Sequence, residues 1–245
     1  MKSVLKESSI HPQNASEKPS SFDLDHLNAI FTPLSFQERL HLLYAYFHQS
    51  EVLVTSSFGT QSVFLLHLLH QLKPTQKVHF INTGYHFPET LAYRKLLESS
   101  LQLSIIDVHP APEQHQLSQE QSMWENQPNR CCFYNKVKPL QGVKVGHKVW
   151  ISGVMGFQTP TRKGLRVFEQ SEDIIKFHPF IDIDEGELLY HMDRYKLPRH
   201  PLEAKGYGSI GCSHCTRKGD GRSGRWSNSN KTECGLHLPM PDSKA

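Results

Sequence analysis

Five cysteines carry the most pointed chemistry in this sequence: Cys131, Cys132, Cys212, Cys215 and Cys234. Cys131 and Cys132 are neighbours, and Cys212-Ser213-His214-Cys215 is a C-x-x-C. Four thiolates suit either zinc or an iron–sulfur cluster. Zinc ribbons use two C-x-x-C knuckles, and adjacent cysteines are awkward for such a knuckle, which favours a 4Fe–4S cluster. The bland alternative is four unrelated buried thiols. Cys234 is left over, in Lys231-Thr232-Glu233-Cys234-Gly235-Leu236-His237. A thiol close to His237 and basic residues suits a low-pKa nucleophile, and Gly235 lets the segment move. The competing reading is an inert surface cysteine.

Two strand ends add ligand-type chemistry. Ser56-Ser57-Phe58-Gly59-Thr60-Gln61-Ser62 joins a β-branched run to an apolar helix. Hydroxyls and the N–H groups of a helix N-terminus are donors to a phosphate, and Gly59 allows a sharp turn. The run lacks the Gly-Lys-Ser/Thr of a Walker loop and the G-x-G-x-x-G of a dinucleotide turn. Simple helix capping explains it equally well. The second strand end is Asn82-Thr83-Gly84-Tyr85-His86-Phe87-Pro88-Glu89-Thr90. Its Gly84 permits close approach of backbone to a ligand, and Tyr85 and Phe87 can line a pocket; an ordinary turn is the alternative.

The elements that must position these residues follow from periodicity. Helices are predicted from near Phe22, capped by Asp23 or Asp25, and over Phe36–His48, Val63–Leu72 and Pro88–Ser99. Strands are predicted over Glu51–Ser56, Lys77–Asn82, Leu103–Val108, Lys148–Gly153 and Ile174–Phe177. Strands alternating with helices predict an α/β fold, a parallel sheet with helices on both faces. Residues 1–21 are rich in Ser, Lys and Pro and read as a flexible leader. Residues 22–211 form the expected α/β domain, and 212–245 a C-terminal tail with Cys212, Cys215 and Cys234. Leu197–His237 holds seven glycines and little apolar periodicity, which predicts a loop-rich region.

Composition narrows the class. The 245 residues predict one domain with an appendage. A net charge of +3 is too weak to argue nucleic-acid binding. No run approaches the length of a membrane span, and no apolar signal segment opens the sequence, so a cytoplasmic protein is expected. In a reducing compartment, clustered cysteines point to metal, cluster or redox chemistry.

These motifs together resemble the assimilatory sulfonucleotide (APS/PAPS) reductase family over roughly Glu51–His237. The resemblance rests on the two strand ends, Cys131-Cys132-x-x-x-Lys136-Val137-x-Pro139-Leu140 and Leu197-Pro198-x-His200-Pro201-Leu202. It also rests on Gly206-Tyr207-x-Ser209-Ile210-Gly211-Cys212, Gly224-Arg225-Trp226 and Lys231–His237. It implies the adenine nucleotide α-hydrolase-like (PP-loop) fold, which makes residues 22–211 a nucleotide-binding domain and 212–245 a tail bearing cluster ligands. It implies nucleotide contacts at Ser56, Ser57, Gly59, Ser62, Thr83, Gly84, Gln158 and Arg162. It further implies a 4Fe–4S cluster on Cys131, Cys132, Cys212 and Cys215, a set that goes with adenosine 5'-phosphosulfate (APS) rather than its 3'-phosphorylated form (PAPS). By the same resemblance Cys234 attacks the sulfate sulfur, AMP leaves, and thioredoxin or glutaredoxin releases sulfite from the S-sulfocysteine. Lys136, Arg222, Arg225 and His237 match the positions that offset the converging negative charge. A homo-oligomer is plausible by family.

Two departures stand out. An arginine pair usual after the fourth strand is replaced by Met155-Gly156, with Lys163 and Arg166 close enough in sequence to supply charge. Asn135 stands where an arginine usually precedes Lys136. The rival readings are a PAPS or dual-substrate reductase, a PP-loop RNA-thiolation enzyme, and a non-catalytic iron–sulfur sensor.

Overall fold

A computed structural model describes residues 22–172, 174–227 and 231–237. The leader expected over residues 1–21 lies outside them. Six strands form one sheet: β1 Val52–Ser56, β2 Lys77–Ile81, β3 Ser104–Val108, β4 Val149–Ile151, β5 Phe168–Ser171 and β6 Ile174–Phe177. Their order is β3-β2-β1-β4-β6-β5. The first five in that order run parallel, and β5 pairs antiparallel with β6. The parallel sheet read from the sequence thus gains one antiparallel edge strand. Phe168-Glu169-Gln170-Ser171 carries a single buried apolar residue, so its pattern had no strand signature.

The strands alternate sides. Val52, Val54, Val78, Phe80, Val149, Ile151, Ile175 and Phe177 enter a large core. Helices α1 Leu24–Phe31, α2 Phe36–Tyr46, α3 Ser62–Leu72 and α4 Pro88–Ser100 cover that face. Leu53, Ile81, Trp150 and Ile174 point the other way, toward a smaller core closed by Leu140, Val143 and Leu236. That face is covered later in the chain, after α5 Pro112–Glu120 and α6 Met123–Asn126. There α7 Pro128–Cys132, a π-type turn Phe133–Val137 and α8 Lys138–Lys144 follow one another directly. A π turn inserts one extra residue per turn and re-aims side chains, a device frequent at functional sites. Here it carries Lys136 just after the vicinal cysteines. Short α9 Pro160–Lys163 follows β4, and α10 Glu185–Arg194 returns to the large core through Leu188 and Met192.

Local chemistry explains the helix starts. The Asp23 carboxylate accepts from the N–H groups of Asp25 and His26 at 3.0 Å each. Ser35 and Glu38 close a capping box on α2. Pro88, Pro112, Pro128 and Pro139 sit in first turns, where a missing N–H costs nothing. From Leu197 onward the chain is held by 3-10 turns, two isolated bridges and glycine turns, in keeping with its composition.

Candidate active site

The order reverses between β1 and β4, and in open parallel sheets ligands bind at the carboxyl ends of the strands around such a point. A cavity of about 520 Å³ opens there. Its floor is the β1 turn: Ser56, Ser57, Gly59, Thr60, Gln61 and Ser62 all line it. The turn is built internally. Ser56 Oγ accepts from the Phe58 N–H at 3.1 Å, and Ser62 Oγ donates to the Gly59 carbonyl at 2.7 Å. Phe58 takes a left-handed φ of 51° and is fully buried, its ring edge-on to Phe80 at 5.3 Å. No side chain caps α3; of its first-turn N–H groups, Ser62 donates to the Gly59 carbonyl at 3.2 Å and Phe64 to the Gln61 carbonyl at 3.4 Å. Gly59 passes under the backbone of Ile210, where a Cβ would stand 3.3 Å from the carbonyl.

Opposite the turn stand Lys136, Arg222, Arg225 and Cys234. Lys136 comes from the π turn. Burial opposes its charge, but the thiols of Cys212, Cys234 and Cys132 outweigh it and hold the ammonium well above the usual lysine range. The Cys234 thiol is held well below its usual range, first by a hydrogen bond from Cys132 and, against burial, by Lys136, the Leu236 backbone and Arg225. The Arg225 guanidinium lies on the Trp226 ring at 4.3 Å and crosses Gly211. Arg222 is pulled down to about 10 by burial, then by the charge of Arg162.

The segment 231–237 is fastened at several points. Glu233 is 1 % exposed. Arg162 grips its carboxylate from Nε and a terminal nitrogen at 2.8 Å each. Thr159 Oγ1 donates at 3.0 Å and Arg222 at 3.2 Å. Burial would raise the Glu233 carboxyl, yet its two arginines hold it below the usual range. Lys176 Nζ donates to the Leu236 carbonyl at 3.0 Å, and the Leu236 side chain completes the smaller core. Sequence reasoning quoted Glu233 within a motif but gave it no task, and it passed over Thr159 and Lys176.

The cysteines divide differently from the sequence grouping. Cys131, Cys212 and Cys215 pack around Tyr85, Met123 and Trp124. Cys132 turns to Cys234, and its Cβ lies against Gly235. Among the described residues, no three or more His, Cys, Asp or Glu side chains stand in metal-holding geometry. Burial pushes the Cys131 thiol up to about 12. Asn135 is fully engaged here. Its amide donates to Ser118 Oγ at 3.0 Å and to the Cys131 carbonyl at 2.9 Å, and its Oδ1 meets His115 Nδ1 at 2.8 Å.

Several expected ligand contacts fall elsewhere. Thr83 and Gly84 stand on the cysteine side rather than on the cavity wall. Thr83 Oγ1 lies 3.4 Å from Cys212 Sγ, and Gly84, at φ 75°, runs beneath His115. Gln158 lines the cavity, where it bonds Gln61 and Arg162. Arg162 also borders the cavity, but its guanidinium is occupied by Glu233 and Gln158. Neither Lys163 nor Arg166 reaches the cavity, and Arg166 pairs with Asp25 at 2.8 Å. The missing arginine at position 156 has a steric reason. A Cβ on Gly156 would meet the Ile181 carbonyl at 2.5 Å. His237 ends the last 3-10 turn, and its side chain lies outside the described part. No described helix is long and apolar enough to cross a membrane.

Sheet order, ligand turn and cavity together define a PP-loop-type α/β nucleotide-binding protein with a thiol in the cavity wall. Comparison makes the class specific. Residues 51–218 match the phosphoadenosine phosphosulfate reductase domain, and the chain belongs to that family. It is 40% identical over 200 residues to a Bacillus cereus protein named adenosine 5'-phosphosulfate reductase, covering 78% of this chain and 85% of that one. A Lysinibacillus sphaericus protein of the same name is 36% identical over 197 residues, covering 77% and 84%. The crystal structure of phosphoadenylyl-sulfate reductase from Candida auris superposes with a TM-score of 0.70 at 26% identity, covering 83% of this chain and all of that one. The FMN adenylyltransferase of Candida glabrata, at 12% identity and a TM-score of 0.53, shares the fold.

Proposed function

We propose that this chain reduces adenosine 5'-phosphosulfate to sulfite and AMP, with electrons from a thioredoxin- or glutaredoxin-type dithiol. One observation carries the reading: the Cys234 thiol stands in the wall of the cavity floored by the Ser56–Ser62 turn, among Lys136, Arg222 and Arg225. Relatives named for APS reduction, at 36 and 40% identity, support this substrate over PAPS.

The chemistry follows from charge. An anionic thiolate must approach an anionic sulfate, so cations have to converge on the reacting atoms. Lys136, Arg222 and Arg225 supply them, and His237 is assigned there by resemblance. The turn hydroxyls and the α3 N-terminus hold the nucleotide phosphate. Cys234 sulfur bonds to the sulfate sulfur, the bridging S–O bond breaks, and AMP leaves with that electron pair. A thiolate of the dithiol then attacks Cys234 sulfur. Sulfite departs with the S–S electron pair, and the dithiol's second thiolate frees Cys234 as the partner disulfide forms.

The four remaining cysteines suit a 4Fe–4S cluster by donor type. All four are thiols, three of them, Cys131, Cys212 and Cys215, set in an apolar and aromatic wall, and Lys136 is a cation near Cys132 and Cys212. Cys131, Cys132, Cys212 and Cys215 would hold it, Cys132 by turning from Cys234. A cluster bound there would supply charge near Lys136; the two electrons come from the dithiol.

The test is sulfite release by anaerobically purified protein with reduced thioredoxin, comparing APS and PAPS at equal low concentration. Faster turnover on APS is expected. A preference for PAPS would overturn the substrate assignment, and no sulfite from either would overturn the reaction.

A further inference from the structure

The resemblance gives Arg162 to the nucleotide. The geometry gives it to the tail. Arg162 is only 6 % exposed, and both faces of the Glu233 carboxylate are taken up by Arg162, Thr159 and Arg222. Glu233 directly precedes Cys234. Thr159 caps α9 and Arg162 lies within it, and the 3-10 turn just before α9 is tied to the segment after β6 through the Gly156 N–H, which donates to the Ile181 carbonyl at 2.9 Å. A side chain one residue from the nucleophile is therefore locked to the main domain on the far side of the cavity wall.

We propose that Glu233 is a positioning residue and Arg162 its clamp. Together they set where the Cys234 sulfur stands relative to the Ser56–Ser62 turn. The other fastenings lie farther from the cysteine or are weaker in kind. Lys231 Nζ donates to the Pro128 carbonyl at 3.2 Å and Asn129 Oδ1 at 2.9 Å, Arg222 to the Thr232 carbonyl at 3.3 Å and Lys176 to the Leu236 carbonyl, while Cys132 meets Cys234 through a thiol contact. Glu233, directly beside Cys234, is a buried charge held by two guanidinium groups. A carboxylate held from two directions by a planar guanidinium fixes distance and orientation together. Displacing a reacting atom by about 1 Å costs on the order of 100-fold in rate, without weakening binding of a ligand that does not touch it.

This proposal rests on the reading of Cys234 as the nucleophile, and its test separates the two. Glu233→Gln keeps shape and removes charge. The expected result is a kcat for sulfite release lowered about 100-fold, with AMP affinity, measured by calorimetry, within about twofold of wild type. Peptide mass spectrometry after a short pulse of bulky maleimide is expected to show Cys234 labelled at least about tenfold faster, because the segment opens locally. If Glu233→Gln fails to fold, Thr159→Val removes one hydrogen bond from the same carboxylate outside the cavity lining; a drop of about fivefold in kcat with unchanged AMP affinity is expected. Unchanged kcat, a parallel loss of kcat and AMP affinity, or unchanged Cys234 labelling overturns the positioning role. Absence of sulfite from the wild-type protein instead strikes the proposed reaction, while the labelling comparison still decides whether Glu233 holds the segment.

Discussion

Gly211→Ala offers a way to move one cation without touching it. A Cβ at Gly211 would run into a terminal nitrogen of Arg225 and lie 2.6 Å from its central carbon. The backbone of Gly211 is not left-handed, so alanine is tolerated there. What must yield is the guanidinium. Restoring an ordinary contact requires about 1 Å of movement across the Trp226 ring. At an effective dielectric of about 20, a unit charge drawn from about 4 to about 5 Å from an anion loses about 1 kcal/mol. If a charge-assisted hydrogen bond is lost as well, about 1.5–3 kcal/mol is added. The expected fall in kcat/KM for APS is therefore at least about fourfold, and about 50- to 600-fold where the hydrogen bond is lost as well. Steady-state sulfite release measures it, with the melting temperature as a fold control. The decisive arm is the same substitution on an Arg225→Ala background, where it must become silent because the three atoms nearest the added Cβ are gone. A Gly211→Ala enzyme within twofold of wild type, or one equally impaired without Arg225, would refute the assignment of Arg225 to the reacting anion.

Two further outcomes test the scaffold. Arg39 is 1 % exposed and donates to the carbonyls of Phe31, Thr32 and Pro179 as well as to Asp182, joining α1 and α2 to the segment after β6. Arg39→Met should cost about 3 kcal/mol and lower Tm by roughly 6–12 °C, read by calorimetry, with kcat of the folded enzyme unchanged. His200 accepts from the Leu202 N–H at its Nδ1, 3.1 Å away, so that nitrogen must stay unprotonated, and burial pulls the ring down to about 4. The unfolded chain then binds more protons between pH 6.5 and 4, so stability falls as pH falls through that window. His200→Asn, whose amide oxygen can accept the same bond, should remove up to about 3 kcal/mol of that loss in denaturant titrations at pH 7 and pH 4.

Much of this was legible in the residues. The runs before Ser56, Ile81, Val108 and Ile151 are β-branched and apolar, and each became a parallel strand. The Ser56–Ser62 turn stood out because hydroxyls and glycine gather where a strand meets a helix. The helices between Pro112 and Lys144 were hidden because they are short and mostly polar; α5, α7 and α8 are marked by prolines in their first turns, and α6 Met123–Asn126 has no such mark. Thr83 and Gly84 stand off the cavity lining for a geometric reason. A strand end beside the ligand edge turns at Gly84 toward the cysteines instead. Glu233 was in plain view, but its partner Arg162 is 71 residues away in sequence, and no periodicity links a charge pair at that distance.

The central claim is that Cys234 takes the sulfonate from the substrate. The most direct measurement is the intact mass of wild-type protein and of Cys234→Ser after APS is added anaerobically with no reductant. Wild type should gain one sulfonate group, mapped to Cys234 and lost with sulfite release when reduced thioredoxin follows; Cys234→Ser should gain none. A sulfonate on another residue, or sulfite formed by Cys234→Ser at the wild-type rate, would contradict the account.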